Sequence, residues 1–413
     1  MLSVESISET PLADINVADP ALWDCHKYWP IFERMRREDP VHYCADSTYG
    51  PYWSVTSHED ILAVETNHEI FSSDSRLGGI VIHDDLAFEL SGYALEGFIA
   101  MDPPRHAAQR GAVSGIVSRP NLAHLETIIS ERTRDLLDSL PVGEVFDWVP
   151  TVSIELTTQM LATLFDFPFD DRAKLTRWSD VATMEPGLGV VATDAERVKE
   201  LKSCLFHFTK LWRARKDKQD GFDLVSMLAQ NPATANMNPM NFLGNILVLI
   251  IGGNDTTRNS MSGAIAAFDQ YPQELQKLRA NPSLMENAIS EIIRWQTPIA
   301  HMRRTALADA ELGGKQIKKG DKVVMWYASG NRDEKVFADA ETFDIERDNA
   351  RRNLSFGFGI HRCMGRRLAE LQLRILLEEI MKRWTRIEIA AAPIPIKSNF
   401  VHGYASLPVR IIP

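Results

Sequence analysis

The sequence predicts a mainly α-helical fold with small β-sheets, and three observations carry that expectation. Residues 240–270 run without a helix breaker behind an asparagine, Asn238, and a proline, Pro239, suited to the cap and first turn. Helical patterns recur over 29–38, 58–66, 122–140, 150–164, 171–184, 194–218, 282–295 and 366–384. The strand-like runs are short: 305–307, 315–317 and 323–325 are separated by glycine-rich turns and suit one small sheet, not a Rossmann core.

Taken in order, 29–38 reads as a helix with Pro30 in its first turn. Residues 41–43 and 52–55 read as a hairpin around Ser47-Thr48-Tyr49-Gly50, and 58–66 as a short helix. His26, His42, His58 and His68 share no metal-ligand spacing and read as surface or locally bonded residues. The irregular segment 71–101 is apolar and glycine-rich, and loops beyond about 15 residues rarely occur without a purpose. Asp102-Pro103-Pro104 opens the next helix, which places His106 and Arg110 on one face. Residues 185–192 read as a Pro-Gly turn suited to a lid. The helix over 282–295 presents Glu291 and Arg294 at i and i+3, and Gly313-Gly314 lacks the context of a phosphate loop.

Composition narrows the function classes. With 413 residues, 45% of them hydrophobic, and no linker, repeat or charge block, the chain reads as one continuous domain, 1–413. A net charge of -11 argues against a nucleic-acid or anionic-membrane surface. The N-terminus lacks the basic and apolar parts of a secretory signal. Residues 242–251, interrupted by Gly244 and Asn245, are too few to span about 30 Å of hydrocarbon. A cytoplasmic, reducing setting is expected.

Chemistry concentrates in Phe356-Gly357-Phe358-Gly359-Ile360-His361-Arg362-Cys363-Met364-Gly365. Two Phe-Gly steps make a narrow backbone and deliver Cys363 to the first turn of a helix, where amides and the dipole favour a thiolate. Cys25, Cys44 and Cys204 have no CxxC spacing, so a zinc or iron–sulfur site has no ligand set, whereas a single sulfur suits a haem iron. A buried apolar cysteine after a glycine-rich turn is the alternative. His106 and Arg110 read either as solvent decoration or as a clamp for an anion. Gly252-Gly253 removes two side chains and weakens the long helix beside Asp255 and Thr256, leaving room for a small ligand with an acid and an alcohol next to it. Thr256 reads equally as a helix hydroxyl bonding its own preceding turn.

Together, the loop (as FGxGxHxCxG), Glu291-Ile292-Ile293-Arg294 (as ExxR), Gly253-Asn254-Asp255-Thr256-Thr257, and His106 with Arg110 resemble the cytochrome P450 family of haem-thiolate monooxygenases. The segments around Gly252–Ser260, Phe98–Pro104, Tyr327–Glu334 and Ser398–Tyr404 are similar to the soluble bacterial hydroxylases that oxidise the terminal carbon of alkanes and fatty acids. This resemblance implies the cytochrome P450 fold and one haem b with Cys363 as axial thiolate. It implies propionate contacts from His106, Arg110, His361 and Arg303, with Arg304 the competing assignment for the last. Proton handling would fall to Asp255 and Thr256, and a structural lock to Glu291, Arg294 and Arg347. Substrate-lining groups would be Ile82, Leu95, Phe98, Val248, Ile251, Ile299, Met302, Phe400 and Val401, with 71–101 as the cavity roof. The implied reaction inserts one atom of O2 into an unactivated C–H bond, with terminal hydroxylation of medium-chain alkanes or fatty acids expected. A bulkier terpenoid or steroid is the alternative substrate, and a haem sensor, an electron carrier or a peroxygenase the alternative function. No flavin segment or iron–sulfur cysteine set is present, so a ferredoxin with an NAD(P)H-dependent reductase is the expected electron source. Residues 349–369 contain no carboxylate but do contain Arg351, Arg352, Arg362, Arg366 and Arg367, a candidate docking face for that acidic partner.

Overall fold

The computed structural model describes residues 10–23, 27–83, 96–184, 186–187, 189–217 and 222–413. Its main elements run α1 (Tyr28–Glu38), β1 (Val41–Cys44), β2 (Tyr52–Val55), α2 (His58–Thr66), β3 (Phe71–Ser72), α3 (Arg105–Val113), α4 (Arg119–Asp138) and β4 (Val145–Asp147). There follow α5 (Glu155–Phe165), α6 (Ala173–Thr183), α7 (Asp194–Arg215), α8 (Leu224–Gln230), α9 (Pro239–Gln270), α10 (Pro272–Ala280) and α11 (Met285–Gln296). The chain closes with β5 (His301–Ala306), β6 (Ala310–Leu312), β7 (Lys315–Ile317), β8 (Lys322–Trp326), α12 (Arg366–Arg383), β9 (Arg386–Ile389) and β10 (Pro408–Ile412). The mainly helical architecture with small sheets matches the expectation. No helix among the described residues is long and apolar enough to cross a membrane.

The described residues fall into two compact units, each threaded from separated parts of the chain. One comprises residues 10–83, 273–363 and 395–403. Its five-stranded sheet has the order β1-β2-β8-β5-β3. The hairpin pairs Val41 with Val55 and Cys44 with Tyr52, β2 joins β8 in parallel, and β8 pairs β5 antiparallel. Here the expected single sheet of three late strands is corrected. Residues 305–306 and 323–325 belong to longer β5 and β8 inside this sheet, with Leu307 just past the end of β5, whereas β7 pairs only with β6. Val323, Val324, Met325 and Trp326 are all buried, so β8 has no polar alternation to mark its two faces and is the strand a central position demands. Trp23, Tyr28, Phe32 and Trp326 pack into one aromatic core of this unit.

The other unit comprises residues 96–272, 364–394 and 404–413. Helix α9 is its axis and packs against α5, α6 and α12. The Asn238 side chain accepts the Asn241 amide at 2.8 Å, which supplies the predicted cap. A long buried cluster joins Leu161, Phe165, Trp178, Phe208, Ile246 and Ile250 across these helices. A β4-β10-β9 sheet closes the unit at its C-terminal strands. Helices α8 and α10 were not expected from the sequence: α8 has only seven residues, and α10 buries just two apolar side chains, Leu275 and Leu278.

Candidate active site

In the first unit the cysteine loop is fixed from several sides. The Leu354 amide donates to the Asn331 side chain at 2.7 Å, Ser355 Oγ donates to the Ile293 carbonyl at 2.9 Å, and the Cys363 amide donates to the Phe356 carbonyl at 2.7 Å. Gly357 and Gly359 have φ of +62° and +63°, which L side chains rarely adopt, and a Cβ on Gly359 would strike the carbonyl oxygen of Glu65. The expectation that Cys363 occupies the first turn of a helix is corrected. A short 3-10 turn spans Gly359–His361, α12 begins at Arg366 with Gly365 as its cap, and Cys363 lies between them. Arg362, with φ -47° and ψ 136°, leaves the helical region after the 3-10 turn, so α12 begins only beyond Cys363. His361 closes the 3-10 turn.

Cys363 is exposed, whereas Cys44 and Cys204 are buried and burial pushes both thiols up. Of these three, the loop cysteine is thus the one disposed to serve as a thiolate. No group of three or more His, Cys, Asp or Glu among the described residues could hold a metal ion. A donor set of one accessible sulfur fits an iron whose remaining in-plane bonds come from a porphyrin.

Adjacent Arg303 and Arg304 diverge because side chains alternate along β5. Arg303 reaches the carbonyls of Gly78 at 3.1 Å and Leu77 at 3.3 Å, while Arg304 pairs with the buried Glu65 carboxylate at 3.3 Å. Ile299, Phe400 and Val401 form one apolar cluster, with Met302 packed against it. Ile82 does not join them. Its amide bonds His301 Nε2 at 3.2 Å and its carbonyl takes the Lys322 ammonium at 2.9 Å, which turns its fully buried side chain into the core around Trp23 and Phe32. Leu95, with residues 84–95 of the roof segment, lies outside the described residues.

Glu291, Arg294 and Arg347 are brought together and buried. Arg294 grips Glu291 through two bonds of 2.7 and 2.8 Å, and Arg347 adds a third at 3.1 Å. The guanidinium of Arg294 also donates to the carbonyls of Asn331, Ala340 and Thr342 at 2.7, 2.9 and 3.1 Å. Every face of this buried charge cluster therefore meets a partner, the condition under which such a cluster is tolerable.

In the second unit, His106 is buried on α3 and Arg110 follows one turn later on the same helix. Helix α9 stays α-helical through Gly252-Gly253, so the expected weakening does not break it. The two glycines act differently. A Cβ on Gly252 would meet nothing within 4 Å, whereas one on Gly253 would lie 2.8 Å from Leu161, so the first opens space and the second lets α5 approach. Thr256 Oγ1 donates to the Gly252 carbonyl at 2.8 Å, the local bond expected of a helix hydroxyl.

Asp255 is fully buried. Ser179 Oγ of α6 donates to it at 2.8 Å and Arg258 pairs with it at 2.6 Å, while the same guanidinium holds Asp180 at 2.7 Å. Burial pushes the Asp255 carboxyl up, against the pull of Arg258. Phe98, Val248 and Ile251 belong to the large apolar cluster of this unit. Sequence reasoning missed Ser179, Asp180, Arg258 and Glu65, because single polar residues inside amphipathic helices carry no spacing signal.

The family model described as cytochrome P450 matches residues 31–399. The chain belongs to the cytochrome P450 family. Linalool 8-monooxygenase of Pseudomonas putida is 36% identical over 405 residues, 96% of this chain and 99% of that protein. The methyl-branched lipid omega-hydroxylase of Mycobacterium bovis is 28% identical, over 97% of this P450 and 95% of its own length. Among solved structures, cytochrome P450-153 from Novosphingobium aromaticivorans is 47% identical with a TM-score of 0.90, over 96% of this chain and 99% of that one. The protein is a P450 monooxygenase of the haem-thiolate type.

Proposed function

We propose that this P450 hydroxylates the terminal carbon of medium-chain alkanes or fatty acids, and that residues 1–413 work as one catalytic domain. The observation that carries the substrate class is the apolar character of both candidate contact sets: Ile299, Phe400, Val401 and Met302 in one unit, Phe98, Val248 and Ile251 in the other. Desolvation of hydrocarbon against such groups contributes about 0.8 kcal/mol per methylene, which favours a long chain over a small polar molecule. The similarity to a lipid omega-hydroxylase supports the chain end as the target. A terminal C–H bond is stronger than an internal one, so walls, not intrinsic reactivity, must select it, and Ile251 and Ile299 are the groups assigned to that task.

Haem b, bound through the Cys363 thiolate, supplies oxygen activation when present. The chain's own residues do the rest. His106, Arg110, His361 and Arg303 hold the propionates by charge-assisted bonds. Asp255 is placed to pass protons from a buried, hydrogen-bonded position, and the Thr256 hydroxyl keeps its oxygen lone pairs available as acceptors because its proton is committed to Gly252. Electrons come from a ferredoxin that docks on the arginines of 351–367. Arg351 and Arg366 pair with Glu286 and Glu370, which leaves Arg352 and Arg367 as the principal contacts among the described residues.

A second reading, hydroxylation of a terpenoid, is favoured by the similarity to linalool 8-monooxygenase. A spectral binding screen of alkanes, fatty acids, terpenoids and steroids, followed by product analysis on the tightest binder, decides between them. Terminal alcohols from linear chains are expected. Tight binding by cyclic or branched terpenoids alone, or internal alcohols from every linear chain, overturns the first reading.

A further inference from the structure

Glu65 sits where an acid is out of place. It occupies the last turn of α2, where the negative end of the helix dipole disfavours a carboxylate, and its side chain is 1% exposed. Burying a carboxylate there requires compensation by specific donors, and the identity of those donors says what the residue is for.

The two carboxylate oxygens are used differently. Oε1 accepts from the Tyr327 hydroxyl and from Arg304 at 3.3 Å. Oε2 accepts the backbone amide of Phe358 at 3.3 Å, inside the glycine-bent loop that carries Cys363. The main chain of Glu65 meets the same loop, since its carbonyl oxygen occupies the space that a Cβ on Gly359 would need. Arg304 in turn donates to the carbonyl of Arg303 at 2.7 Å.

We propose that Glu65 is a positioning residue for the cysteine loop: its carboxylate fixes the Phe358 amide and, through Arg304, ties that loop to the strand bearing Arg303. The sulfur and one propionate arginine are thereby set in register by a single buried anion, which rests on the assignment of Cys363 as the ligand. Tyr327 keeps its hydroxyl protonated because burial, with the neighbouring Glu65 charge, pushes it well above its ordinary value, so it remains a donor to the carboxylate.

The test uses the haem-loaded protein and three variants, E65Q, Y327F and C363A. Gln at position 65 keeps the shape but turns an amide NH2 toward groups that are themselves donors, and it removes the charge. Hydrogen–deuterium exchange over 354–363 should accelerate about tenfold in E65Q, the value of one lost charge-assisted hydrogen bond, while exchange over 285–296 stays unchanged. The reduced carbonyl complex of E65Q should divide between the thiolate band and a blue-shifted form, and its reduction potential should move in the positive direction as a buried negative charge is lost. Y327F should move the same readouts the same way by less, and it decides the matter if E65Q cannot be isolated loaded. Loop exchange and carbonyl spectrum equal to the parent's in the variant tested overturn the proposal. C363A separates the premises: if it retains the parent's carbonyl band, Cys363 is not the ligand, whereas faster loop exchange in E65Q still reports the brace itself.

Discussion

The Arg258 guanidinium stands 2.6 Å from Oδ1 of Asp255, three residues earlier on α9, and reaches across to Asp180 of α6 at 2.7 Å. One cation thus serves two carboxylates, one of them fully buried. Replacing Asp255 by Asn should lower turnover by about a hundredfold, the low end for loss of an acid–base group, with substrate affinity unchanged in a spectral titration. Turnover within threefold of the parent would remove Asp255 from proton handling. Replacing Arg258 by Met leaves the buried acid without its cation and should cost about 3–5 kcal/mol of stability in denaturant titration.

For Thr256, the committed bond to Gly252 means that substitution by Ala removes an oxygen acceptor but leaves the backbone ladder of α9 whole. Haem content and substrate binding should be retained. Product formed per NAD(P)H consumed should fall roughly tenfold, equivalent to about 1.4 kcal/mol, the order of one hydrogen bond. Measuring peroxide alongside product checks this, and unchanged coupling would exclude Thr256.

Removing Arg294 leaves Glu291 with Arg347 as its one cation beside the Asp344 amide, and takes a donor from each of three carbonyls. R294A should be destabilised by about 3–5 kcal/mol and be isolated haem-poor. A variant that is normally loaded and has the parent's melting temperature contradicts the lock.

His301 gives the chain an acid-sensitive element. Its Nδ1–H donates to the Asn399 carbonyl at 2.8 Å, its Nε2 accepts the Ile82 amide, and burial pulls its pKa from 6.5 to about 3. Between those values the unfolded chain binds a proton that the folded protein refuses, so stability is present above pH 6.5 and is lost as the pH falls toward 3. The penalty should be about 2 kcal/mol at pH 5, at 1.36 kcal/mol per unit. H301Q keeps an acceptor for Ile82 and a donor for Asn399 but cannot titrate. Between pH 7 and pH 5 it should lose about 2 kcal/mol less than the parent in urea unfolding, and equal losses would refute the assignment.

Legibility in the sequence followed the range of the interactions. The ends of α2 and the cap of α9 were readable because they depend on residues a few positions apart: Ser57 accepts the Asp60 amide, and Asn238 that of Asn241. The Glu291–Arg294 pair was readable for the same reason, and Arg347 only through resemblance. Strand partnership was not, because β2 beside β8 joins positions 53 and 323, and nothing local in Lys322–Trp326 names that neighbour. Ile82 was assigned to the cavity by its apolarity, which a core position satisfies equally. Glu65, Ser179 and Asp180 have partners fixed only by tertiary packing, so no local pattern marked them.

The long reach of the lock has a consequence during synthesis. Arg347 lies 56 residues after Glu291. At about 5–20 residues per second, a ribosome needs roughly 3–11 s to deliver it after Glu291 has been added. Throughout that interval the emerging chain holds an acid with one arginine in place of two, and an Arg294 whose acceptors at Asn331, Ala340 and Thr342 arrive in turn. Nascent chains stopped before residue 339 should therefore remain open to protease around α11, while chains stopped well beyond residue 347 should not. Codon choice across that interval sets how long a half-made core stays exposed to chaperones and proteases.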